Sequence, residues 1–352
     1  SSPSQLKQMF VQFLGLTTTS KSLFLLIEIM SEPMKNKVLT IGEPMVVFSS
    51  NEMDKSLLDS NNFTTFASGA ELNVATGLER LGIETTYLSK IGNDILGDKI
   101  LKFFKSEKID TKYISRSNKW QTGFYFKQRV SSGDPEIFYY RKKSAASHLQ
   151  NSALAKIQFE NYRLIHLTGI LAALSPQTLA LTETALNSAI EDKIISTFDP
   201  NIRLPLWKDK AQMVSTLNGL SKKAKIILPG INEGKILTGS SDPEEIASFY
   251  LQNSDITNLV VVKLGENGAY FKDKTGSDGY IKGYHATKIL DTVGAGDGFA
   301  VGLISGLIDN LNIRESIKRA CAIGSLAIQA YGDNDGYPNM SELSKYMKVN
   351  DN

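Results

Sequence analysis

Ten consecutive residues carry the sharpest chemical signal in this 352-residue chain: Asp291-Thr292-Val293-Gly294-Ala295-Gly296-Asp297-Gly298-Phe299-Ala300. Two glycines flank Ala295, an acid follows, and an apolar helical stretch continues to about Ile308. Gly294 and Gly296 permit backbone conformations in which successive N–H groups point one way. These groups stand at a helix N-terminus, where partial positive charge accumulates. The backbone of Gly294, Ala295 and Gly296 therefore forms an anion hole suited to phosphate. Asp297 sits in the same turn, where its carboxylate can take a proton from a hydroxyl that attacks phosphorus. The implied chemistry is phosphoryl transfer. A helix N-cap would explain Asp297 taken singly, but not the whole string.

Such a loop needs a framework. From Lys37 onward the pattern is regular: Lys37–Ile41 reads as a short buried strand ending at Gly42, and Asn73–Leu81 as a helix ending at Gly82. Thr86–Ile91 reads as a strand and Ile95–Glu107 as a helix. Gly123–Arg129 and Glu136–Arg141 alternate, are rich in aromatic and β-branched residues, and flank a Ser-Ser-Gly-Asp-Pro turn, the signature of a hairpin. Strands are then predicted at Leu164–Leu167, Ile194–Phe198, Ile226–Leu228 and Leu259–Lys263. Helices such as Pro176–Ala189 and Glu244–Gln252 lie between them, and a small-residue helix is predicted at Ala320–Tyr331. This alternation implies an α/β fold with a mainly parallel sheet covered on both faces, carrying a small β appendage.

Composition narrows the function classes. Lys plus Arg number 39 and Asp plus Glu 37, so nothing in the net charge of +2 calls for nucleic acid. One cysteine, Cys321, excludes an internal disulfide framework and agrees with a reducing cytoplasm. The histidines His148, His166 and His285 are widely spaced and give no zinc pattern. His166, inside a predicted strand, reads as a core histidine, and Cys321 as a packing residue. The apolar run Leu23–Ile27 is too short for a membrane span of ~20 residues. Residues 1–34 read as an N-terminal extension, native or appended, outside the fold.

The ten-residue string resembles the C-terminal signature of the ribokinase-like (PfkB) carbohydrate kinases. The resemblance extends over most of the chain from about Lys37. Ser68-Gly69-Ala70-Glu71-Leu72-Asn73 is similar to the family's sugar-binding signature, with Ser68 where a glycine is usual. Gly92–Gly97 matches another family block, and so does Lys263-Leu264-Gly265-Glu266-Asn267-Gly268, a strand-end loop that in the family borders the nucleotide. Leu237-Thr238-Gly239 sets the register of an Asn-x-x-Glu element. There Glu233 falls on the acidic position, able to order metal-bound water, and Gly230 replaces the Asn. The resemblance implies a ribokinase-like three-layer sandwich at residues 35–345, with a β lid from about 44–66 and 121–143. It further implies ATP and Mg²⁺ as cofactors, with a monovalent cation as an option, and homo-oligomers formed through the lid.

The segment Tyr139-Tyr140-Arg141-Lys142-Lys143-Ser144-Ala145 is similar to that of the 2-keto-3-deoxygluconate kinases within the family, and Phe198–Trp207 fits the same group. Fructokinases carry a string related to the second, so a fructokinase or another sugar kinase of the family is the alternative, and a non-catalytic sugar-acid sensor a more distant one. Arginine recognises a carboxylate through a planar fork of donors, so Arg141 and Arg203 suit a sugar acid better than a neutral hexose. Tyr125 and Tyr139 can add hydroxyl donors. The resemblance places Gly69, Asn73 and Asp333 at the sugar, and Lys263, Gly265, Gly268, Gly294 and Gly296 at the nucleotide.

Overall fold

The structure is a computed structural model that describes residues 36–133 and 135–350; the predicted extension 1–34 lies outside them. In chain order the first half contains β1 (Lys37–Ile41), β2 (Met45–Met53), β3 (Phe63–Ser68), α1 (Ala70–Arg80), β4 (Glu84–Gly92), α2 (Ile95–Ser106), β5 (Asp110–Ser117), β6 (Phe124–Arg129) and β7 (Ile137–Tyr140). The second half contains β8 (Leu164–Thr168), α3 (Gly169–Leu174), α4 (Pro176–Glu191), β9 (Ile195–Asp199), α5 (Lys210–Ser221), β10 (Ile226–Ile227), α6 (Ile231–Thr238), α7 (Pro243–Gln252) and β11 (Leu259–Lys263). It ends with β12 (Ala269–Asp273), β13 (Asp278–Ile281), α8 (Ala295–Ile308), α9 (Ile313–Ala327) and α10 (Met340–Asn350).

Nine strands form the main sheet in the order β13-β12-β11-β10-β9-β8-β1-β4-β5. From β11 to β5 every pairing is parallel; β12 and β13 add an antiparallel edge. Strands β8 and β9 are buried at every position, as a parallel sheet covered on both faces requires. Order reverses at the β1/β8 pair: one half of the sheet grows outward from β1 through β4, the other from β8 through β9. In open α/β sheets a crevice opens at this reversal, beyond the carboxyl ends of the strands. Those ends deliver Glu43 just after β1, Thr168 at the end of β8, Asp199 at the end of β9 and Lys263 at the end of β11.

The helices start where local chemistry satisfies their free N–H groups. Asp94 caps α2, Ser175 and Thr178 form a reciprocal capping box on α4 with Pro176 at its first position, and Asp209, Asp242 and Asn312 cap α5, α7 and α9. Helix α9 covers Ile313–Ala327 rather than the predicted Ala320–Tyr331. It stops because the carbonyl of Ile328 turns away to accept the Leu290 N–H at 2.8 Å, which ties the helix end to the segment entering the Asp291 string.

A second sheet, β3-β2-β6-β7, stands over the crevice. Strand alternation gives it two faces. Met45, Val47 and Tyr125 cluster on one, with Ile137 packed against them. On the other, Phe48 lies 5.1 Å from Phe126, and Phe124 stacks on Tyr140 at 4.9 Å.

Candidate active site

Gly294 initiates α8 in the left-handed region (φ 84°). Its carbonyl accepts the Tyr337 hydroxyl at 2.8 Å and the Gly298 N–H at 2.8 Å. A side chain would not fit, because a Cβ there would lie 2.0 Å from the Asp333 carbonyl oxygen. The next N–H groups, of Ala295, Gly296 and Asp297, belong to the first helical turn and have no partner within the helix. Two of them, Ala295 and Gly296, belong to the anion hole expected from the sequence at Gly294, Ala295 and Gly296.

Asp297 lies in that first turn, and its Oδ2 accepts the Asn73 side-chain N–H at 2.8 Å. Asn73 is held in turn by Asn334, whose amide donates to Asn73 Oδ1 at 3.0 Å. Burial pushes the Asp297 carboxyl up to about 6; Asn73 opposes the shift, Asp199 adds to it, and Arg203 and Lys263 oppose it. A buried carboxylate near neutrality is well matched to general-base work.

Lys263 donates to Asp199 Oδ2 at 2.5 Å, and its ammonium would lie 3.6 Å from a Cβ on Gly296. The cation thus stands beside the anion hole. Burial works against this ammonium, but Asp199, Glu233 and Asp297 together raise it above the ordinary lysine range. Gly265 and Gly268 shape the tight turn after β11, where Leu264 donates to the Gly268 carbonyl at 2.8 Å. Glu233 is a positioning acid in this structure: Oε1 accepts the Ile202 N–H at 2.7 Å and Oε2 the Gly230 N–H at 2.7 Å. Burial, then the nearby Asp199 charge, raises the Glu233 carboxyl.

Among the described residues no group of three or more His, Cys, Asp or Glu side chains is arranged to hold a metal ion. The donor set fits Mg²⁺ only as an ion that keeps several waters and binds mainly through phosphate oxygens. Asp199 and Glu233 each keep spare acceptor directions on their oxygens for such water.

The residues expected at the sugar converge from distant segments. Asp333 Oδ2 accepts Ser68 Oγ at 2.5 Å and the Tyr125 hydroxyl at 2.8 Å, and Oδ1 lies 3.5 Å from Lys127 Nζ. Tyr139 packs on Tyr125 at 5.0 Å. Gly69 (φ 137°) starts α1 with its Cα against the Glu43 backbone. Arg141 departs from expectation. Its Nε donates to Glu43 Oε2 at 2.8 Å, its Nη2 donates to the same oxygen, and Ser144 Oγ donates to Glu43 Oε1. Both partners are buried, so Glu43 occupies the fork that was expected to face a substrate carboxylate. Arg203 is exposed, its one side-chain bond is to the neighbouring Ile202 carbonyl at 3.2 Å, and its charge reaches Asp297. Of the two arginines, Arg203 is the exposed one.

Sequence reasoning missed Glu43, Glu71, Lys127 and Asn334. Glu71 is buried, accepts Thr168 Oγ1 at 2.5 Å, and is pushed up to about 7 by that burial. For Glu71 and Lys127 the available signal was a charged residue within a regular element; Glu43 and Asn334 lie in loops, where the sequence offers no such signal. His166 and Cys321 behave as expected: burial holds the imidazole down at about 3 and pushes the thiol up to about 12.

Residues 35–340 match the pfkB family carbohydrate kinase profile. The chain is 42% identical over 317 residues to a 2-dehydro-3-deoxygluconokinase of Bacillus subtilis, covering 90% of this chain and 97% of that protein. The crystal structure of a PfkB protein from Polaromonas is similar at 37% identity and a TM-score of 0.80, covering 88% of this chain and 99% of that one. A sugar kinase of Pyrococcus horikoshii, in complex with ATP, is similar at 25% identity and a TM-score of 0.75, covering 89% of this chain and 98% of that one.

Proposed function

The chain belongs to the pfkB family of carbohydrate kinases, and we propose that it uses ATP to phosphorylate 2-keto-3-deoxygluconate on its terminal hydroxyl, giving 2-keto-3-deoxy-6-phosphogluconate and ADP. The observation that carries the reading is Asp297 fixed by Asn73 in the first turn of α8, beside the N–H groups of Gly294, Ala295 and Gly296. The substrate oxygen attacks the γ-phosphorus in line, the bond from that phosphorus to the ADP oxygen breaks, and the hydroxyl proton passes to Asp297. The loop N–H groups and the Lys263 ammonium stabilise charge on the phosphoryl group in transit. Mg²⁺, bound through phosphate oxygens, would neutralise the triphosphate, with Asp199 and Glu233 ordering its water. A monovalent cation is an optional accessory in this proposal.

The sugar acid is supported by the likeness to the Bacillus subtilis enzyme and by Arg203, an exposed guanidinium that bonds only its neighbour's carbonyl among the described residues and whose charge reaches Asp297. In this reading Asp333, Tyr125 and Tyr139 are the polar groups that meet the sugar hydroxyls, Asp333 and Tyr125 exchanging part of their present bonding for it. The second sheet acts as the lid, which excludes water during transfer. Its outer face exposes Phe138 at 56% and Tyr140 at 57%, so we place the contact between two copies there. No described helix is long and apolar enough to cross a membrane, and we assign the enzyme to the cytoplasm, acting on a small molecule without nucleic acid or membrane partners.

The test is ADP release measured over 2-keto-3-deoxygluconate, its galactonate epimer, gluconate, fructose and ribose. The deoxygluconate should give the highest kcat/KM. A higher value for fructose would make the chain a fructokinase, and no ADP release with any sugar would leave a binding protein.

A further inference from the structure

Lys127 projects from lid strand β6 and is buried, with its side chain 6% exposed. Its ammonium bonds the Asp291 carboxylate and lies 3.5 Å from Asp333 Oδ1. These two acids flank the start of the anion hole. Asp291 Oδ1 accepts the Val293 N–H at 3.0 Å, fixing the turn that leads into Gly294. The Asp333 carbonyl packs against the Gly294 Cα, where any added Cβ would lie 2.0 Å away. One cation from the sugar side thus joins the two chain segments that hold Gly294 in its left-handed conformation.

We infer that Lys127 is a positioning residue that couples lid placement over the sugar to the geometry of the phosphate-binding N–H groups. Two consequences of its chemistry support this. An ammonium between two carboxylates offsets negative charge that would otherwise repel the incoming triphosphate. A charge-assisted bond is also short and directional, so lid movement is transmitted to Asp291 rather than absorbed by a flexible contact. Bound sugar, by settling the lid, then raises affinity for the nucleotide, and nucleotide raises affinity for the sugar by the same factor. The inference rests on the phosphoryl-transfer reading, because turnover is one of its readouts.

The experiment compares wild type, Lys127→Met, Lys127→Arg and Asp291→Asn. Calorimetry with a non-hydrolysable ATP analogue is run with and without 2-keto-3-deoxygluconate, alongside steady-state kinetics. A misplaced anion hole should lower kcat in Lys127→Met by ~10–100-fold while the sugar KM moves less than about threefold. The tightening of analogue binding by sugar should disappear in the same variant. Lys127→Arg should recover kcat to within about fivefold of wild type, since it keeps the cation. Asp291→Asn keeps the acceptor for Val293 and should reproduce the loss of coupling, which keeps the test decisive if Lys127→Met does not fold. Coupling retained in Lys127→Met or in Asp291→Asn would overturn the inference. So would a kcat loss in Lys127→Met that Arg does not recover. A wild-type enzyme that phosphorylates no sugar would instead sink the reading beneath it.

Discussion

The side-chain amide of Asn73, from the first turn of α1, donates 2.8 Å to Oδ2 of Asp297, in the first turn of α8. Two helix starts are thereby joined across the crevice. The bond does two things at once. It fixes the rotamer of the Asp297 carboxyl, and it favours the ionised carboxylate that burial disfavours.

That balance predicts a pH profile. With the Asp297 carboxyl raised to about 6, the group holds its proton to higher pH than a free aspartate, so kcat/KM should fall as pH drops through about 6. Asn73→Ala removes the bond that favours the charged form and should move this limb to higher pH. An acidic limb near 4 in the wild type would show that the burial of Asp297 does not govern its titration.

Asp297→Asn retains size and most hydrogen bonding but not basicity. Turnover should drop by ~10²–10⁴ while sugar binding by calorimetry stays close to wild type. Turnover within a few-fold of wild type would remove Asp297 from the proton transfer.

The two loop glycines should fail differently. Gly294→Ala forces a side chain into the left-handed region and against the Asp333 carbonyl, so thermal stability and nucleotide binding should fall together. At Gly296 an added Cβ meets only Lys263 Nζ at 3.6 Å, an ordinary contact. Gly296→Val should therefore leave the melting temperature nearly unchanged and weaken ATP binding by crowding the phosphate. Equal melting temperatures for the two variants would contradict this assignment.

The arginines should separate stability from specificity. Arg141→Met strands the buried Glu43 carboxylate and should destabilise the fold by about 3–5 kcal/mol in chemical denaturation. Arg203→Met, at an exposed position, should change stability by less than about 0.5 kcal/mol. It should nevertheless lower kcat/KM for the sugar acid by ~10–100-fold, against little change for fructose. Equal losses on both sugars would return the carboxylate contact to another group.

The strands and helices that carry the crevice were legible because each follows from local periodicity and punctuation: β1, β8 and β11 as apolar runs, α4 from Ser175-Pro176, the hairpin of β6 and β7 from its turn. So were Gly294, Gly296 and Asp297, whose chemistry is contained in four consecutive residues. The pairings between distant segments were not. Nothing near Glu43 announces Arg141, 98 residues on, and nothing near Lys127 announces Asp291, 164 residues on. In sequence Lys127 is one polar residue in an alternating strand; only the fold reveals that its side of the lid faces the site. The end of α9 was misplaced for the same reason, since Ile328 leaves the helix to bond Leu290.

The span of the contacts bears on how the enzyme is made. Asn73 and Asp297 are 224 residues apart, and Ser68 and Asp333 265. At translation rates of ~5–20 residues per second, Asp297 follows Asn73 out of the ribosome by roughly 10–45 s. During that interval the lid and α1 have emerged without α8, and the crevice lacks one wall. A chain that stops short of α8 therefore carries Asn73 without Asp297, and the bond that joins the two helix starts can form only after most of the chain has been made.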